Sequence, residues 1–317
     1  MEKAARKLIF PFAYLLLISG IGTITLITTT GISEAERLCM AGHKEALRKN
    51  QPGSGLEYFQ KAAAKNPQYA DAWFYIGRCF GDLGRWPEAI ETFSKAIKIK
   101  TDFAEAYRGV GIAYQRVGRS PDAIEAFRQA IRIKPDYAEA YGNLGIVYCE
   151  LGRLPEATEV LTKSLKIKPD YAEGYYNLGV VYYKLARWKE AVDTLRQAIK
   201  FEPELTNAHY MLGVAYSHTG QWPEAIKALE QTIILNPELS QALLDLGVAY
   251  SQVGRWRETI EVCKQAVKIR PDWNMAHYEL GVVYLKTGQK NSALDEYKIL
   301  KTLNVKTADE LLDLIGR

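Results

Sequence analysis

The side chains best suited to metal binding or nucleophilic chemistry are four histidines, His43, His209, His218 and His277, and four cysteines, Cys39, Cys79, Cys149 and Cys263. A metal site needs such ligands clustered at short spacing, and a redox pair needs CxxC. Neither pattern is present. No nucleophile elbow, P-loop, GxGxxG turn or HExxH motif occurs either. Paired acids occur at D-x-x-E spacing, as in Asp102/Glu105, Asp136/Glu139 and Asp170/Glu173. That spacing reads as a helix-capping box with Asp as the cap, not as an acid–base pair. The expectation is a chain without catalytic residues, metal or cofactor, whose cysteines are small packing residues.

The elements that place these residues repeat every 34 positions. From Ala70, the residues Trp73, Ile76, Gly77 and Phe80 are followed by Ala89, Phe93 and Ala96. The set returns as Tyr107, Val110, Gly111, Tyr114, Ala123, Phe127 and Ala130, then from Tyr141, from Tyr175, and in three further copies starting at Thr206, Ser240 and Asn274. Apolar or small residues at repeat positions 4, 7, 8 and 11, then 20, 24 and 27, define two amphipathic helices per copy. Small residues at positions 8 and 20 allow the two helices to approach closely. Gly84, Gly118, Gly152, Gly220, Gly254 and Gly288 stand at position 15, where the first helix must stop. Ala186 holds that place in one copy, which predicts a different turn there. Pro87, Pro121, Pro155 and Pro223 open second helices, where a missing N–H is harmless. His209 and His277 fall at position 4, on the helix–helix seam, and read as core residues.

The pattern W-x2-L-G-x2-Y, then A-x3-F, at a 34-residue period resembles the tetratricopeptide repeat family. The resemblance implies an all-α, right-handed superhelical solenoid of antiparallel helix pairs. The copies run 70–103, 104–137, 138–171, 172–205, 206–239, 240–273 and 274–307. Residues 36–69 read as a degenerate first repeat with a turn at Gln51–Ser54. Residues 308–317 read as a capping helix with Ala308, Leu311, Leu312 and Ile315 inward.

The family lines its concave face with positions 2, 5, 9, 12 and 13 of the first helices. Carried over, early copies present Asp71, Phe74, Arg78, Asp82, Glu105, Arg108, Gln115 and Arg116. Later copies present Tyr176, Val180, Tyr183, Tyr210, Val214, Leu244, Val248, Tyr278, Val282 and Leu285. So apolar a wall implies a bound protein or peptide, with tyrosine suited by its apolar ring and polar tip. Position-9 valines that merely pack on the neighbouring helix are the alternative. Some members hold a terminal carboxylate with a Lys/Asn/Arg clamp. Arg78, Arg108 and Arg116 offer the charge here, but the Asn positions do not match. Others hold a peptide backbone with Asn at position 6, where this chain has Asn143 and Asn177.

Residues 1–7 are basic, with Lys3, Arg6 and Lys7 against Glu2, and no residue from Leu8 to Ser33 is charged. Leu8 to Ile27 is long enough, at roughly 30 Å as a helix, to span a bilayer. Three readings compete: a retained anchor over 8–30, a cleaved signal peptide, and a buried helix. The length exceeds an ordinary signal core, the nearby cleavage sites are indifferent, and no polar face exists, so the anchor is favoured. The basic side precedes it, which places the N-terminus in the cytoplasm and exports the repeats. Lys44, Arg48 and Lys49 blunt that contrast, and a secreted product is the alternative. Four cysteines without regular spacing fit a reducing compartment more easily.

The whole chain has 317 residues and a net charge of +4, too balanced to imply a nucleic-acid partner. The sequence therefore points to a membrane-anchored interaction scaffold that binds a peptide or protein in its groove. A structural spacer or self-assembling envelope component, and an accessory subunit of an enzyme complex, are the alternatives. Oligomeric state is not legible.

Overall fold

The computed structural model describes residues 33–49 and 52–316. The expected anchor over 8–30 and its basic flank lie outside the described residues. Among the described residues no helix is long and apolar enough to cross a membrane. They form seventeen α-helices, one short 3-10 helix at Pro52–Gly55, and no strand. The fold is an all-α, tetratricopeptide-like solenoid. The chain divides into two compact units, the first ending at Asp136 and the second beginning at Tyr137.

Unit 1 contains α1 (Glu34–Lys49), α2 (Leu56–Lys65), α3 (Ala70–Asp82), α4 (Trp86–Ile99), α5 (Ala104–Arg116) and α6 (Ser120–Ile133). Unit 2 contains α7 (Ala138–Glu150), α8 (Leu154–Ile167), α9 (Ala172–Lys184), α10 (Trp188–Phe201), α11 (Thr206–His218) and α12 (Trp222–Leu235). It continues with α13 (Ser240–Gln252), α14 (Trp256–Ile269), α15 (Asn274–Lys286), α16 (Lys290–Leu303) and α17 (Val305–Gly316).

Pairs form because a large side chain of the second helix fills a notch in the first. A Cβ on Gly77 would lie 2.8 Å from Phe93, and one on Gly145 only 2.5 Å from Leu161. Phe127, Leu161, Leu195 and Leu229 are fully buried in these notches. The last pair departs from the rule. Tyr297 stands where the plugging residue would be, and Leu311 of α17 packs into the notch at Gly281 instead. Helix α17 thus closes the final pair with Ala308, Leu311 and Ile315 buried, while Leu312 stays exposed.

Two local expectations are corrected. The residues capping α5, α7 and α9 are Phe103, Tyr137 and Tyr171, and none makes a side-chain cap bond. Asp102, Asp136 and Asp170 therefore lie one residue outside the caps. Burial of Phe103 and Tyr137 sets this register. Glu105 and Glu139 turn instead to Lys134 at 3.9 Å and Lys168 at 2.8 Å, tying each first helix to the end of its second. Nor does the turn at Ala186 differ. Ala186 takes φ 55°, beside glycines at 69–76°, and its N–H donates to the Tyr183 carbonyl as the glycines' do. Space around the turn is open, so the cost is backbone strain alone, about 1–2 kcal/mol.

After five of the seven turns an arginine adds a clamp. Arg85, Arg119, Arg153, Arg187 and Arg255 donate through Nε to the acid three residues on, at 2.8–2.9 Å. Their guanidinium groups lie 4.3–4.8 Å over Phe80, Tyr114, Tyr148, Tyr182 and Tyr250. Exposed ion pairs alone contribute little, so the stacking on the ring is the steadier contribution.

Candidate functional site

Position 4 reads as seam and proves to be a tie. Trp73, His209 and His277 reach the carbonyls of Pro67, Pro203 and Pro271 at 2.9–3.0 Å. His209 is half-buried; His277 is buried, and its Nδ1 also meets Glu296 at 2.6 Å. Both ring nitrogens of His277 face acceptors, which favours the imidazolium, and the Glu296 bond raises its pKa. All four cysteines are buried, and none is in a disulfide. Burial pushes the Cys39, Cys79 and Cys263 thiols up to about 12, far from the thiolate range needed for reactivity. Among the described residues no group of three His, Cys, Asp or Glu side chains could hold a metal ion. What remains is the first-helix face of each unit.

In unit 1 this face is charged but already engaged. Phe74 packs among Tyr75, Phe93 and Phe103 at centroid distances of 5.0–5.8 Å. Arg78 is half-buried against the Phe74 ring. Burial disfavours its charge, and Arg108 adds repulsion that Asp82 opposes. Arg108 is half-buried, and the exposed Arg116 lies over Trp86 at 5.8 Å. Arg78 and Arg116 are therefore built against aromatic rings.

In unit 2 the face is tyrosine-rich, and three features stand out along it. The first is a cavity of about 160 Å³ between α7 and α9, lined by Ile146, Cys149, Leu161, Tyr176, Asn177 and Val180, with Glu150 and Lys184 at its edge. The Nδ2 of Asn177 is buried there without a hydrogen-bond partner. Such a donor costs about 1–3 kcal/mol when left unmade. Asn143, one repeat earlier, is half-buried and has interactions of its own.

The second feature is an aromatic cluster. The Trp188 and His218 rings stack at 4.3 Å and 4°. Tyr183 meets Trp188 edge-on at 5.0 Å, and its hydroxyl lies 3.1 Å from His218 Nε2. The third is a polar bridge between repeats: Tyr210 donates to Asp245 at 2.9 Å, and Gln241 donates to the other carboxylate oxygen at 3.1 Å.

Among the residues assigned to the groove, Tyr176, Tyr183, Tyr210, Tyr278, Val180, Val214 and Leu285 are half-buried on this face. Leu244 is a correction. It is 6% exposed and belongs to the core of the last two repeats, so no partner can reach it. The partnerships of Trp188 with His218 and of Asp245 with Tyr210 escaped the sequence. Each joins residues about one repeat apart, a distance that 34-residue spacing hints at only once the stacking is known.

The comparisons with known proteins agree on the fold. The family model described as Cilia and flagella-associated protein 70 C-terminal domain matches residues 16–238, and a tetratricopeptide repeat model matches residues 210–274. The Cut9-Hcn1 complex of APC/C superposes with a TM-score of 0.64 at 21% identity, covering 78% of this chain and 48% of that one, so this chain spans about half its length. The Pseudomonas aeruginosa pilF structure gives 0.59 at 19% identity, covering 66% and 96%. YrrB, titled a TPR protein with an unusual peptide-binding site, gives 0.51 at 25% identity, covering 59% and 96%. No curated protein matches the chain.

Proposed function

The chain belongs to the family of the Cilia and flagella-associated protein 70 C-terminal domain, a tetratricopeptide-repeat family, and from that premise we propose that unit 2 binds a peptide segment of a protein partner along its tyrosine-lined face. One observation carries the reading. Asn177 offers a buried, unpartnered N–H donor beside an apolar cavity between repeats. A backbone carbonyl would satisfy that donor while a neighbouring apolar side chain filled the cavity. Removing a buried donor from solvent is favourable only when a partner acceptor arrives, so the site gains most from an extended peptide. YrrB's titled peptide-binding site supports the class of ligand. Tyr176, Tyr183, Tyr210, Tyr278, Val180, Val214 and Leu285 supply the rest of the surface in this reading.

We also propose that residues 8–30 tether the repeats to a membrane as a single span, with the N-terminus in the cytoplasm and the repeats exported. The uncharged run preceded by Lys3, Arg6 and Lys7 supports it. Carbonate should fail to extract the full chain from membranes; a soluble product lacking this stretch would refute retention.

Asn177→Leu tests the groove. The variant removes an unmade donor, keeps the branching, and places its larger methyls beside the apolar cavity, so melting should hold or rise. Capture from a random dodecapeptide library should fall about tenfold or more, the 1.4 kcal/mol equivalent of one lost hydrogen bond. Unchanged capture would overturn the proposal.

A further inference from the structure

Position 6 of the first helices changes chemistry along unit 2. It is Asn143 and Asn177 in the first two copies, Met211 in the third, then Asp245 and Glu279 in the last two. An amide both donates and accepts, whereas a carboxylate only accepts and carries charge. Both acids are half-buried. Asp245 receives the Tyr210 and Gln241 donors, which are neutral. Glu279 has no hydrogen bond or ion pair among the described residues, and neither acid has a cation beside it there. Burial holds both carboxyls above their ordinary range for want of that counter-charge.

The surroundings suit a cation. Tyr210 lies against Asp245, and Tyr278 lies near Glu279 and Glu310 of α17. Aromatic faces attract ammonium and guanidinium groups. Val214, Val248 and Val282 offer apolar surface for an aliphatic stem. On this face of the last three repeats the described basic side chains are His218, stacked on Trp188, and Lys286, exposed at the helix end.

We propose that the segment bound along unit 2 carries lysine or arginine side chains whose charged heads dock at Asp245, against Tyr210, and at Glu279, beside Tyr278. The inference rests on the groove reading and adds the partner's chemistry to it: an apolar residue at the Asn177 cavity and basic ones two and three repeats further on. A carboxylate desolvated without a counter-charge gains from an incoming donor that carries one. The hydrogen bonds from Tyr210 and Gln241 hold the Asp245 oxygens in place to receive it.

The test uses the full chain in mild detergent and three fluorescent dodecapeptide pools of matched hydropathy, with lysine and arginine, with glutamate, or uncharged. The basic pool should bind about tenfold more tightly than the uncharged one, with the advantage shrinking as salt rises. Asp245→Asn and Glu279→Gln keep shape and neutral hydrogen bonding. Each should lower basic-pool affinity several-fold, and together they should erase the preference while leaving uncharged-pool binding unchanged and melting equal or higher. Equal affinity for basic and uncharged pools overturns this inference but leaves the groove reading standing if Asn177→Leu still abolishes capture. A basic preference that survives the double variant places the cation elsewhere and overturns it too. If no pool binds, both readings fail.

Discussion

The first-helix faces of the two units are built from the same repeat and do different work. Position 5 holds Phe74 in unit 1, half-buried and packed among three aromatic rings, and Tyr176, Tyr210 and Tyr278 in unit 2, also half-buried but carrying a polar hydroxyl. Position 6 is Tyr75 in unit 1, stacked on Phe59 at 5.2 Å and meeting His43 edge-on, and an unpartnered Asn177 in unit 2. The lesson is that the seam positions are fixed by packing, while the face positions are free to vary. Unit 1 uses them to complete its own core. Unit 2 leaves donors, acceptors and rings unspent.

The largest way to break this comparison is through the seam, where both units should respond alike. Phe127→Ala in unit 1 and Leu195→Ala in unit 2 empty fully buried notches and should each cost about 3–5 kcal/mol. Because repeats couple mainly to neighbours, hydrogen exchange should quicken chiefly in the unit that carries the lesion. Uniform loss of protection along the chain would contradict a division into two units.

The faces should respond oppositely. Tyr210→Ala should weaken peptide capture by about 2 kcal/mol, as buried interface tyrosines do, with a small change in melting. Phe74→Ala should lower melting and leave capture intact. Reversal of these two results, read by a pull-down beside a thermal melt, would move the binding surface to unit 1.

A smaller test compares turns. Ala186→Gly should stabilise unit 2 by about 1 kcal/mol by relieving left-handed strain, and Gly118→Ala should destabilise unit 1 by a similar amount. Equal and negligible shifts in denaturant midpoint would show that the turns are not strained.

The smallest effects at neutral pH belong to two histidines that titrate in opposite senses. His43 is desolvated between Phe59 and Tyr75 and repelled by Arg78, which takes its pKa from 6.5 down to about 4. Its neutral form is the folded one, so its contribution is complete above pH 6.5 and is lost as pH falls from there towards 4. His277 is raised, so its contribution is complete below 6.5 and is lost as pH rises through its folded value. Acid should therefore loosen the start of unit 1 and mild alkali the last repeat. His43→Gln and His277→Gln should each flatten their own limb of a stability–pH profile, and unaltered limbs would exclude these two groups as the cause.

Much of the helix-pair character was legible in the sequence, since Gly77 and Phe93, or Gly145 and Leu161, must alternate small and large for two helices to touch. The candidate site was legible only in outline. Tyr176, Tyr183 and Tyr210 carry no sign of whether a ring is sealed or open, and Leu244 looked equivalent to them while lying in the core. The caps were misplaced because the D-x-x-E spacing suits two registers, and burial of Phe103 and Tyr137 chose between them.

By itself the sequence determined the period, most of the small-to-large notches and the six glycine turns, because each is a local requirement that few residue types satisfy. Only the tertiary structure decided which face residues are consumed by packing and which keep an unmet donor or an unpaired charge. Asn177 and Glu279 depend on what the neighbouring repeat brings against them, and that neighbour, 34 residues away in sequence, supplies neither an acceptor for the one nor a cation for the other.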